Sequence, residues 1–270
     1  MKPRKWTLAL LLGAVLFLFG YPCVALAQPS GPMPKDIGFD AHFGATVSRD
    51  IDLTAEDGSP HTIGDYLDGH RPVILVLAYY ECPMLCTMVL NGAVNALKRV
   101  NLRPGDDFEV VVVSIDPADT PERAAAKKAS YVKHYDRPGA ERGLHFMTGR
   151  ESEVRRLAAA VGFKYAYDPI GQQFAHPAGI MVLTGDGTIS RYLYGVDFPP
   201  RDVRLALVEA AKGTVGTPAD RLLLLCFHYD PAQGKYGAIA LTAVRIGGVV
   251  TMIAIGLLLA KQLAPRRGRA

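Results

Sequence analysis

Two near-continuous apolar runs, "PVILVLAYY" over 72–80 and "FEVVVVSID" over 108–116, constrain this chain more than any other feature. A strand with one face in water alternates apolar and polar residues. Runs this rich in Val, Ile and Leu, almost without alternation, are expected to be strands buried on both faces. Between them, residues from about Pro83 to Val100 read as a helix.

The pattern continues downstream. Thr120 is a suitable N-cap, with Pro121 at the first helical position and Glu122 in the first turn, for a helix reaching about Tyr135. Glu151–Val161 and Arg201–Lys212 are further helices, and "AGIMVLTGDGTISRYLYG" is a hairpin turning at Asp186-Gly187. The expected fold class is α/β, with a mixed central sheet flanked by helices. No internal repeat or long low-complexity tract interrupts it.

Charge is distributed unevenly. Of the 30 Lys and Arg, seven lie at the ends (Lys2, Arg4, Lys5, Lys261, Arg266, Arg267 and Arg269), which leaves 23 against all 26 Asp and Glu in between. That balance argues against nucleic acid as a partner and makes the basic ends topology signals. Residues 1–27 have a basic start, an apolar run from Trp6 to Phe19 and an A-x-A arrangement ending at Ala27, the pattern of a cleaved signal peptide. An uncleaved anchor is the alternative, for which fourteen apolar residues are short. From Gly237 to Ala260 a 24-residue stretch carries one charge, Arg245, and reads as a transmembrane helix followed by a basic cytoplasmic tail over 261–270. The expected organisation is signal peptide 1–27, linker 28–36, one soluble domain 37–212, juxtamembrane segment 213–236, span and tail. The domain would then lie outside the cytoplasm, held to the cell membrane by a single C-terminal pass.

"ECPMLC" follows the first buried strand and opens the helix, so Cys82 and Cys86 sit where helix N–H groups favour a thiolate. Spaced i and i+4, they share one face of a turn. Three readings fit the pair: a structural disulfide closing a very small loop, a redox-active dithiol, or two ligands of a metal. A haem attachment is excluded by Thr87 after the second cysteine, and a structural zinc by the ligand count. His176 lies in the loop entering the hairpin. Two thiolates and an imidazole would make a soft three-coordinate site suited to Cu(I) and able to accept Cu(II).

"ECPMLC", "VVVSIDPADTPE" and "FAHPAGIMVLTGDGTISRYLYG", in this order and approximate spacing, resemble the Sco/SenC family, and the resemblance covers roughly residues 37–212. It implies a thioredoxin-like fold and a copper protein assisting assembly of the dinuclear copper centre of cytochrome c oxidase. Cys82, Cys86 and His176 would be the copper ligands, and Asp116 would match an acid near the site. Implied partners are the copper-bearing oxidase subunit, an upstream copper donor and a thiol reductant. The family's best-known members have an N-terminal anchor, unlike the C-terminal span expected here. Beyond the common domain, Cys226 and His228 are candidates for a second site, with a buried apolar cysteine as the alternative. A thiol–disulfide reductase needing only Cys82 and Cys86, and a redox or copper sensor acting through the span, are the competing functions.

Overall fold

The structure, a computed structural model, describes residues 37–82, 84–215, 246–248, 251 and 255. The expected signal peptide, linker, Cys226, His228, cytoplasmic tail and nearly all of the expected span therefore lie outside the described residues. Among the described residues, no helix is long and apolar enough to cross a membrane.

Short strands open the domain: β1 (Gly38–Phe39), β2 (Asp52–Thr54) and β3 (Pro60–Thr62). The two apolar runs then form β4 (Val73–Ala78) and β5 (Glu109–Ser114), every residue of both buried. They pair in parallel, Val73 opposite Glu109 through Ala78 opposite Ser114. Between them runs α1 (Leu85–Leu97), whose buried residues include Cys86, Val89, Leu90, Ala93 and Val94. After β5 comes α2 (Pro121–Tyr135), capped as expected: the Thr120 side chain accepts the Arg123 N–H at 3.4 Å. The short α3 (Ala140–Gly143) leads into β6 (Leu144–Met147), which adds in parallel to β5. Two consecutive parallel crossovers in one direction place α1 and α2 on the same face of the sheet.

Then follow α4 (Glu151–Ala160), β7 (Phe163–Lys164), β8 (Ala166–Asp168), β9 (Gln173–Ala175), β10 (Gly179–Leu183), β11 (Ile189–Tyr194) and α5 (Pro200–Ala211). The five-stranded central sheet has the order β11-β10-β4-β5-β6, and β8 and β9 form a separate two-stranded sheet. The sheet is mixed because β10 runs antiparallel to β4, Met181 opposite Leu75. Helix α1 packs against both α2 and α5. The expected mixed sheet flanked by helices is therefore present, and its apolar strands build the core.

This topology positions the site. The loops after β4 and β5 emerge together at the carboxyl ends of two parallel strands, where α/β sheets open their crevices. The antiparallel β4–β10 register, followed forward along β4 and back along β10, brings the segment preceding β10 to Tyr79 and Tyr80, directly before the cysteine turn.

Candidate metal centre

Cys82, Cys86 and His176 come together, with one ligand atom from each lying within 4.8 Å of the others. All three are buried, at 9%, 1% and 7% exposure. Both cysteines are free thiols.

Each side chain is placed by a local cause. Helix α1 begins without a side-chain cap at Met84, leaving early N–H groups without intrahelical partners. The Cys82 sulfur takes one of them, accepting the Cys86 N–H at 3.2 Å. The Cys86 sulfur in turn accepts the Tyr79 N–H at 3.4 Å and lies 2.9 Å from His176 Nε2. His176 Nδ1 is 2.9 Å from the Pro177 carbonyl oxygen, an acceptor, so the ring proton belongs on Nδ1. That tautomer points the Nε2 lone pair at the sulfurs, as a metal ligand must. The Phe163 ring stacks on the imidazole and Tyr79 meets it edge-on, each with centroids 6.0 Å apart.

The two thiols are unequal. Burial opposes a Cys82 thiolate, but hydrogen bonds from the Cys86 N–H, the Tyr79 hydroxyl and the Met84 N–H outweigh it and lower its pKa. Cys86 is pushed well above the ordinary thiol value, chiefly by burial, with the neighbouring Cys82 charge adding to it. Burial also lowers the His176 pKa, against a smaller opposing effect of the Pro177 carbonyl, so the imidazole stays neutral and available as a ligand. The arrangement offers one thiol that ionises more easily than an ordinary cysteine, one that ionises when a cation replaces its proton, and one neutral nitrogen. Soft, buried and three in number, these donors fit copper better than a hard cation.

Asp116 lies in the loop after β5. It is half-buried, and its carboxylate accepts the Ala118 N–H at 2.8 Å, a turn within its own loop. The acid that reaches the cysteine turn is Asp119, whose side chain is fully buried. Its Oδ2 accepts the Tyr80 N–H at 2.8 Å and the Ser114 hydroxyl at 2.5 Å. Arg123 stands 3.5 Å from Asp119 Oδ1 and 3.2 Å from Glu81, so acid and base together pin the residues between β4 and Cys82. Sequence reading passed over Asp119 because "DPAD" holds two acids and nothing in their spacing says which turns inward. Replacing Asp119 with Ala leaves the buried Tyr80 N–H unpaired and takes from the Ser114 hydroxyl its shortest bond, and is expected to cost about 2–4 kcal/mol of stability. Chemical denaturation reads this directly, and a loss within about 0.5 kcal/mol, the usual range of a neutral surface change, would show that the clamp holds nothing.

The family model described as SCO1/SenC matches residues 40–211. The chain belongs to the SCO1/SenC family. That match contains the cysteine turn, the Asp116–Asp119 loop and His176. Among solved structures, the chain is similar to a putative electron transfer protein from Aquifex aeolicus VF5, at 25% identity and a TM-score of 0.56, over 64% of this chain and 96% of that one. It is also similar in fold to Arabidopsis thaliana ScoI with copper bound, at 20% identity and a TM-score of 0.50, over 63% and 99% of the two chains. A third, a SCO1/SenC family lipoprotein from Bacillus anthracis, has 15% identity and a TM-score of 0.50, over 62% and 96%. No curated protein matches the chain.

Proposed function

We propose that this SCO1/SenC protein is a copper chaperone that holds copper between Cys82, Cys86 and His176 and passes it by ligand exchange to the copper-bearing subunit of cytochrome c oxidase. One observation carries the reading: two sulfurs and an imidazole nitrogen within 4.8 Å of one another, all buried. A pair of cysteines used only as a dithiol needs no third ligand, yet His176 presents Nε2 to Cys86 with its tautomer fixed by Pro177. Support comes also from family membership and from Arabidopsis ScoI, a protein of this fold solved with copper bound. In this reading a cleaved signal peptide directs the domain across the cell membrane, and the span over 237–260 tethers it on the extracytoplasmic side, with the C-terminus in the cytoplasm. An upstream donor supplies copper and a thiol reductant keeps the cysteines ready.

The protein's own groups divide the work. Cys82 attacks first, because its thiolate is already favoured by the helix N–H groups around it. Cys86 follows, its proton leaving as copper takes its place. His176 closes the site with a neutral ligand, whose loss costs no charge separation.

A second reading is favoured by the unequal thiols, one lowered and one raised, a combination suited to a thiol–disulfide reductase acting on oxidase cysteines. The two part at His176. With the full-length chain reduced in detergent, the chaperone predicts one tightly bound copper, lost in Cys82→Ala/Cys86→Ala and bound at least about tenfold more weakly in His176→Ala. A His176→Ala chain that keeps wild-type affinity and still supports oxidase assembly would transfer the function to the reductase.

A further inference from the structure

The ligand group is closed to solvent, whereas an ion arriving from a donor must first bind something exposed. The described chain holds four methionines, and they divide sharply. Met147 and Met181 are fully buried in the core, as methionine usually is, while Met84 and Met88 are 66% and 45% exposed. Both exposed ones belong to the cysteine turn. Met84 lies between the two cysteines, two residues from each, and Met88 lies one helical turn on, its N–H donating to the Met84 carbonyl at 3.0 Å. Met84 stands at the N-cap of α1 and Met88 in its first turn, one turn apart along the backbone and within reach of a single ion for two long, unbranched thioethers. Core packing accounts for neither position.

We propose that Met84 and Met88 form an outer thioether site that captures Cu(I) before it enters the buried Cys82–Cys86–His176 group. This rests on the chaperone reading above. Thioethers are soft and neutral, so they select Cu(I) over hard cations and bind it without losing a proton. Their weakness as ligands is what a landing site needs. As Cu(I) moves inward, two sulfur–copper bonds to methionine break, and two to cysteine sulfur and one to His176 Nε2 form. The donor's ligands depart free, and each cysteine thiol gives its proton to solvent. Copper stays Cu(I) throughout, and no electron changes hands.

The competing role for two exposed methionines is an apolar contact for a protein partner. Leucine separates the two, because it keeps the shape and apolarity of methionine and lacks the sulfur. The experiment uses the reduced full-length chain in detergent and Cu(I) presented as its bicinchoninate complex, followed by stopped-flow loss of the complex's colour. Met84→Leu/Met88→Leu is expected to take up copper about tenfold more slowly than wild type while reaching the same stoichiometry and the same equilibrium affinity. A Leu variant as fast as wild type would overturn the outer site, including the case in which only a Met84→Ser/Met88→Ser chain is slowed. A Leu variant with weakened final affinity would also overturn it, by making the methionines part of the inner site. Wild-type protein that takes no copper would sink the chaperone reading itself, an outcome visible before any variant is compared.

Discussion

Full-length protein whose Cys82 and Cys86 have been joined by an oxidant such as glutathione disulfide is expected to lose its copper, with affinity falling at least about a thousandfold, and to regain it on reduction. Both sulfurs already face one another across the first turn of α1, with one accepting the N–H of the residue that bears the other. The Cys82 thiolate attacks the oxidant's disulfide. Cys86, losing its proton, then displaces the mixed partner, and two electrons leave the pair. Nothing but His176 then remains of the ligand set, and one imidazole is a poor hold on copper. Equilibrium dialysis against a copper chelator, before and after oxidation, gives the answer. Undiminished binding by the oxidised chain would mean that the thiolates are not the ligands, and His176 would have to be placed in a different site.

The second large effect concerns a residue that touches no ligand. Gly92 lies in the middle of α1, where alanine ordinarily gains up to about 1 kcal/mol of helix propensity. Here the sign reverses. A Cβ on Gly92 would sit 1.9 Å from the Val196 carbonyl oxygen and 3.0 Å from its carbon, both backbone atoms of the loop leaving β11. Neither can rotate away, so the helix or the loop has to move. Gly92→Ala is expected to lose about 2–4 kcal/mol, a fall in melting temperature of about 5–15 °C for a domain of this size. A thermal melt checks it, and a variant as stable as wild type would mean that α1 is not held against that loop. Because Cys86 rides on the same helix, a shift of α1 also moves a ligand.

What could be read from the sequence depended on whether the signal was local. The β4 and β5 runs, the Thr120 cap, the Asp186-Gly187 turn and the helix that the cysteine turn opens all carry short-range patterns, and the structure has each of them. Strand β6 escaped notice because "LHFM" is four residues long and has no β-branched residue; β5 makes it a strand by pairing with it. Hairpin β8–β9 is likewise hidden in a stretch, "AYDPIGQQFA", whose Pro and Gly read as a loop. The meeting of His176 with two cysteines some ninety positions earlier is a matter of sheet register, and no spacing in the chain reports it. The choice between Asp116 and Asp119 is similar, since burial of one carboxylate depends on Tyr80 and Arg123 from other segments.

The three ligands are not equally anchored. The cysteines stand on the junction of β4 and α1, whose burial is that of the core itself. His176 follows β9, part of a two-stranded sheet that pairs with no strand of the central five and meets the cysteine turn through aromatic contacts, Phe174 on Tyr79 at 5.8 Å. If the chain is the chaperone proposed above, the time copper stays bound can change apart from the core that holds the cysteines. On the same reading, substitutions along residues 166–175 would alter how long His176 stays on the metal, and the rate of handover would diverge between relatives whose cysteine turns remain the same.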